Sequence, residues 1–157
     1  MTPELMSEKA PELFLNGFHC SQAIFAVGAE MLNVEAPDVI AALSPFGGGI
    51  ASSGNVCGTL SGAIAALGLL MGKKTPKDRD HKAMWHLSHR MVREFERITE
   101  QYGGMNCTDI ARVDWQDREQ VKAFYKAPDS RRRTECARII GETALVLGKL
   151  LQEADLR

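Results

Sequence analysis

Residues 55–72 read NVCGTLSGAIAALGLLMG, and the spacing of the large apolar side chains within them predicts an α-helix. These side chains recur three or four positions apart and belong to Leu60, Ile64, Leu67 and Met71. Gly72 follows the last of them, at a position where helices commonly end. Gly58 and Gly62 would give this helix a smooth face, which favours close contact with a neighbouring helix. The stretch therefore predicts a tightly packed core helix.

The same helical spacing continues on both sides of this stretch. It predicts helices over residues 4–15, 19–31, 37–43, 78–102, 106–110 and 116–125, and a last helix after the turn residues 128–130. Residues 46–54 carry too many glycines and serines to form a stable helix, and no segment shows a strand pattern. We therefore expect an all-α fold, a single-domain helical bundle of about five main helices plus short helical pieces, over residues 1–157.

Composition excludes several classes of partner. The chain has a formal net charge of -1 and gives no bulk electrostatic reason to bind nucleic acid. The N-terminus does not resemble a signal peptide, and the most apolar stretch, residues 63–71, is far short of the roughly 20 residues of a spanning helix. We therefore expect a protein that does not span the membrane and is cytoplasmic. Thiols stay reduced there, which favours metal binding or redox chemistry over permanent disulfides.

The four cysteines are the strongest candidates for a functional site. Each falls near the start of a predicted helix and on its apolar face: Cys20, Cys57, Cys107 and Cys136. A helix start carries roughly half a positive charge and free amide hydrogens, which favour the thiolate, the form that binds metals and attacks disulfides. Antiparallel packing of the helices would bring the first three of these starts to one end of the bundle. This predicts one shared, reactive site.

A plainer interpretation stands beside this one. Free cysteine is among the most buried residue types and behaves as a small hydrophobic side chain. The chain also lacks the C-x-x-C spacing that identifies zinc and iron–sulfur sites from local sequence. Spacing alone therefore leaves open whether the cysteines share a site or only pack in the core.

Several segments resemble the C-GCAxxG-C-C family of small proteins described as redox-active, which is named for four cysteines. Residues 55–63, NVCGTLSGA, are similar to its C-G-A-x-x-G element, and residues 17–23, GFHCSQA, resemble its N-C-S-Q-A segment. Residues 46–49, FGGG, resemble its glycine-rich run, and residues 103–107, GGMNC, its third-cysteine segment. Cys136 resembles the fourth cysteine. The similarity covers nearly the whole chain.

Two positions depart from the family pattern, because Thr59 replaces an alanine and His19 stands where asparagine is common. Neither departure removes a cysteine. The resemblance implies a redox or metal-binding role for the four cysteines, and it associates the protein with membrane transporters. His19, beside Cys20, would be a base for a thiol or an accessory ligand.

Three functions remain open at this point. In the first, the four cysteines bind one metal centre, an iron–sulfur cluster for electron transfer or sensing, or a structural zinc. In the second, cysteine pairs cycle between dithiol and disulfide in a thiol–disulfide oxidoreductase. In the third, the protein is a non-catalytic helical partner of a membrane transporter. The run Arg131–Arg133 is either a solvated face or a positive charge that offsets thiolates or binds an anionic partner.

Overall fold

The structure is a computed structural model that describes residues 1–155. This part of the chain is all α, as predicted, and an isolated antiparallel bridge between Val56 and Asn106 is the only strand-like pairing in it. Two short 3-10 turns, Ser44–Phe46 and Glu100–Tyr102, and one π-helical turn, Arg132–Cys136, accompany the helices. The α-helices are α1 Pro3–Leu15, α2 Cys20–Met31, α3 Pro37–Ala42, α4 Gly58–Met71, α5 Met84–Thr99, α6 Cys107–Ile110, α7 Arg118–Lys126 and α8 Ala137–Asp155.

Five longer helices form the bundle, and α8 packs against all of the other four, α1, α2, α4 and α5. Their facing sides are filled by fully buried side chains such as Met6, Phe25, Leu67, Phe95 and Leu147. None of the helices in the described residues is both long enough and apolar enough to cross a membrane.

One predicted boundary is wrong by six residues. The helix predicted over residues 78–102 begins at Met84, because acidic side chains fold the preceding segment into a turn. Asp78 accepts hydrogen bonds from the backbone N–H groups of Lys74 and Thr75, and Asp80 accepts one from Lys73. Side-chain acceptors of this kind compete with the helical hydrogen bonds of the backbone.

The helices α2 and α4 approach each other through glycine. A Cβ atom placed on Gly62 would lie 2.2 Å from the carbonyl oxygen of Ser21 and 2.4 Å from Cγ2 of Ile24. One placed on Gly58 would lie 2.8 Å from Sγ of Cys20. Real Cβ contacts are longer than this, so neither position accepts a larger side chain without movement of the neighbouring helix. The predicted packing role of these glycines is confirmed.

We expect Gly62→Ala to lower the free energy of unfolding by about 1–3 kcal/mol, because the added methyl group overpacks the contact between α2 and α4. Gly68, on the same helix, has no atom within 4 Å of the position of an added Cβ. Gly68→Ala is therefore the matched control and should be neutral or stabilising by up to about 1 kcal/mol. Urea unfolding measures both, and equal stabilities would contradict the packing argument.

Candidate four-cysteine site

All four cysteines line one cavity. It has a volume of about 40 Å³, which is room for a few water molecules. Its wall also contains His19, Gly47 and Gly48, and four aromatic side chains, Phe14, Trp115, Phe124 and Tyr125. All four cysteines are free thiols. The sequence therefore predicted the cysteines that meet here, but it gave no sign of the aromatic wall, because Phe14 and the three aromatic residues of positions 115–125 are far apart along the chain.

The cysteines reach the cavity from different elements. Cys20 and Cys107 are the first residues of α2 and α6, and Cys57 is the residue that precedes α4. Cys136 differs from the expectation, because it ends the π-helical turn and its N–H donates to the carbonyl of Arg131. It has no free helix start to stabilise a thiolate. Cys57 belongs to the main core and Cys107 to a smaller apolar cluster, and Cys136 packs against both.

Backbone pairing holds two of these segments together. The N–H of Cys57 donates to the carbonyl of Met105 at 2.9 Å, and the N–H of Cys107 donates to the carbonyl of Asn55 at 2.7 Å. These two bonds fix the loop before α4 against the loop before α6. The third-cysteine segment is thereby anchored to the CGTLSG segment, although fifty residues separate them in sequence.

The glycine-rich loop packs directly on the site. A Cβ atom on Gly49 would lie 2.7 Å from Cβ of Cys107, and one on Gly47 would lie 3.0 Å from the imidazole of His19. Residues 48–52 all have positive φ angles, between 51° and 72°. The backbone N–H groups of residues 50–55 donate to carbonyls of residues 45–50. Most of the loop amides are therefore bonded within the loop, which forms a close-packed wall of the site.

Cys20 and Cys57 line the same small cavity, and their interaction separates their pKa values. The neighbouring Cys20 thiol, acting as a donor to the sulfur, is the largest cause that lowers the pKa of Cys57, to about 7. Burial opposes this, while the Thr59 hydroxyl and the backbone N–H groups of Thr59 and Leu60 add to the lowering. The Thr59 oxygen lies 3.4 Å from the Cys57 sulfur. Thr59, the departure from the family pattern, thus supports the reactive thiolate.

The other three thiols do not follow the expectation of lowered pKa values. The pKa of Cys20 is raised well above its ordinary value, because the thiol is held as donor to Cys57 and is buried. Burial raises the pKa of Cys107 to about 11 and also raises that of Cys136. The indole N–H of Trp115 lies near the Cys107 sulfur and offsets part of that rise, although it makes no hydrogen bond of ordinary geometry. A helix start favours a thiolate only where its donors outweigh desolvation.

The arrangement does not fit a single metal ion. Zinc in a structural site is held by four ligands at tetrahedral positions. Within residues 1–155, no group of three or more His, Cys, Asp or Glu side chains is placed to hold one ion. The four thiols are the right kind of donor for an iron–sulfur cluster, but they surround a cavity that is only the size of a few waters. Metal binding stays a prediction from the sequence.

The arginine run is not a uniform solvated face. Arg132 is buried, donates to the carbonyl of Phe14 at 2.9 Å and stacks on the rings of Phe14 and Tyr125. Arg131 donates to the carbonyl of Ile110 at 2.8 Å, and Arg133 is exposed. Two of the three arginines therefore pack behind the cysteine cavity.

We expect iodoacetamide to modify Cys57 first, with a rate that rises as the pH passes through about 7. The variant Cys20→Ala should move this inflection to higher pH, because it removes the largest cause that lowers the pKa. Thr59→Val keeps the shape of the side chain and removes only the hydroxyl, so it should give a smaller shift in the same direction. Mass spectrometry after timed alkylation identifies the modified residue. First modification at Cys136, or an inflection near 9, would contradict this assignment.

Comparison with known proteins agrees with the position of the cysteines. Residues 18–150 match the family model described as "Putative redox-active protein (C_GCAxxG_C_C)". An uncharacterized protein of Archaeoglobus fulgidus is 27% identical over 112 residues, which are 68% of this chain and 74% of that protein. No solved structure matches the chain. The family match covers all four cysteines and most of the bundle, and the chain therefore belongs to the C_GCAxxG_C_C family.

Proposed function

We propose that the site is a dithiol–disulfide redox centre in which Cys57 is the attacking thiolate and Cys20 the resolving thiol. The observation that carries the proposal is the placement of the two thiols on one small cavity at the adjoining starts of α2 and α4, where each thiol shifts the pKa of the other. The lowered pKa of Cys57, about 7, makes its thiolate available near neutral pH, and Cys20 is the neighbouring thiol that would close a disulfide with it. Thiols with a pKa near the ambient pH are the most effective in exchange reactions.

The reaction uses two electrons and one pair of sulfurs. The Cys57 thiolate attacks one sulfur of an oxidised substrate, whose other sulfur leaves with the bonding electrons. Cys20 then gives up its proton and attacks the Cys57 sulfur, which breaks the bond to the substrate and closes the Cys20–Cys57 disulfide. The dithiol is oxidised by two electrons, and the substrate is reduced by the same two. Reduction of the disulfide by a redox partner restores the centre.

Cys107 and Cys136 take a different part in this scheme. Their raised pKa values keep both protonated at neutral pH, so neither is an attacking group. They line the same cavity, where they add uncharged, polarisable surface beside the reactive pair.

Mild oxidation of the reduced protein should form a disulfide between Cys20 and Cys57. Four matched variants test this: Cys20→Ala and Cys57→Ala should abolish the bond, whereas Cys107→Ala and Cys136→Ala should still form it. Peptide mapping without reduction identifies the bond, and titration in a redox buffer should follow a two-electron couple. A disulfide between Cys107 and Cys136 as the first product would contradict the proposal.

The metal hypothesis is tested on the same preparations. Anaerobic purification, followed by iron, zinc and acid-labile sulfide analysis, should yield protein without a stoichiometric metal. Iron with matching sulfide, lost in each of the four variants, would replace the dithiol proposal with an iron–sulfur centre.

A further inference from the structure

The cavity limits what can reach the reactive sulfur. Cys57 is only 8% exposed, and the space in front of it is about 40 Å³. Trp115, Phe124 and Tyr125 pack edge to face beside this space, with Phe124 5.2 Å from Trp115 and 5.4 Å from Tyr125 between ring centroids. A disulfide carried on a peptide is much larger than a few waters. In the conformation observed, only a small oxidant reaches Cys57.

A buried cation stands directly behind the aromatic wall. Arg132 is 6% exposed, and its guanidinium lies 4.9 Å from the ring centroid of Phe14 and 5.3 Å from that of Tyr125. Both rings line the cavity. No carboxylate of the described residues lies within 4.0 Å of this guanidinium, and its Nε atom is buried without a hydrogen-bond partner. Arg132 is not on the cavity wall itself and donates to the carbonyl of Phe14. Because burying a charge without an oppositely charged partner is costly, its positive field favours an anion in the adjoining cavity.

The wall chemistry favours a soft anion over an oxyanion. Phosphate or sulfate needs several N–H donors, but the amides of residues 50–55 are already bonded to carbonyls. Among the buried side-chain donors that the described residues place on this wall, only the indole N–H of Trp115 lacks a partner. Apart from His19 and Thr59, the side chains of the wall are aromatic rings, thiols and aliphatic groups, with which polarisable sulfur makes favourable contacts.

We propose that the substrate of the Cys20–Cys57 pair is a small inorganic sulfur anion, a polysulfide, which the dithiol reduces to hydrosulfide. This inference rests on the proposed function and names its substrate class. Three observations converge on it: the size of the cavity, the buried Arg132 cation without a carboxylate partner among the described residues, and a wall made mostly of thiol, aromatic and aliphatic groups.

The reaction proceeds in two balanced steps. The Cys57 thiolate attacks a terminal sulfur atom of the polysulfide, the S–S bond that joins this atom to the chain breaks, and the polysulfide shortened by one sulfur leaves with the bonding electrons. Cys57 then carries a persulfide. Cys20 attacks the Cys57 Sγ atom, the terminal sulfur leaves as hydrosulfide with the proton from Cys20, and the Cys20–Cys57 disulfide closes. One sulfur atom gains two electrons, and the dithiol loses two.

The first test compares substrates and traps the intermediate. Reduced wild-type protein is mixed with sodium tetrasulfide or with glutathione disulfide at equal oxidising equivalents, and disulfide formation and sulfide release are followed. Polysulfide should react at least about tenfold faster, as expected where access and charge favour one reactant. Cys20→Ala should stop at Cys57 carrying the mass of one additional sulfur atom. Equal rates for the two oxidants, or no persulfide in Cys20→Ala, would overturn the proposal.

The second test examines the cation. Arg132→Met keeps most of the apolar stem and removes the charge, and it should slow the polysulfide reaction about tenfold relative to the reaction with diamide, a small neutral oxidant. Arg132→Lys should preserve much of that ratio. An unchanged ratio of the polysulfide rate to the diamide rate in Arg132→Met would contradict the proposed role of Arg132. If this variant does not fold, the persulfide expected in Cys20→Ala still tests the substrate assignment.

The two proposals fail in different ways. If diamide forms the Cys20–Cys57 disulfide and polysulfide does not, the substrate assignment is wrong and the dithiol centre stands. If neither oxidant forms it, both are wrong.

Discussion

The close approach of α2 and α4 is the constraint on which the site depends. Gly58 and Gly62 remove the side chains that would hold the two helices apart, so that the backbone of Ser21 and the sulfur of Cys20 lie against α4. The first turns of both helices then meet, and Cys20 and Cys57 line the same cavity. A methyl group at either glycine would push apart the two helix starts that carry these thiols. The close approach of α2 and α4 is therefore needed both for the packing of the core and for the proximity of the two thiols.

Burial and hydrogen bonding compete at every cysteine, and they reach different outcomes. Desolvation disfavours the thiolate at all four positions. Only at Cys57 do enough donors converge, one thiol, one hydroxyl and two backbone N–H groups, to reverse it. The result is a site in which the pKa of one thiol is lowered to about 7 and the pKa values of the other three are raised. This asymmetry suits a stepwise exchange in which attack and resolution belong to different residues.

Long-range contacts turn the cysteine pair into an enclosed site. The segment between α6 and α8 contributes Trp115, Phe124 and Tyr125 to the cavity wall. Phe124 and Trp115 belong, with Cys107, to a second apolar cluster apart from the main core. Arg132, from the turn before α8, crosses back to the carbonyl of Phe14 in α1. The cavity thus lies between the main core and the smaller apolar cluster, and its walls combine residues from the N-terminal and the C-terminal parts of the chain.

The sequence by itself determined the helical class, the glycine-dependent packing and the identity of the four cysteines, because these follow from local spacing and residue size. It did not determine which sulfur ionises, since the pKa values depend on neighbours brought close by folding. It misplaced the start of α5, where Asp78 and Asp80 bind backbone amides. It also left the arginine run ambiguous. Only the tertiary structure decided these points, because desolvation and hydrogen bonding between distant segments exist only once the chain has packed.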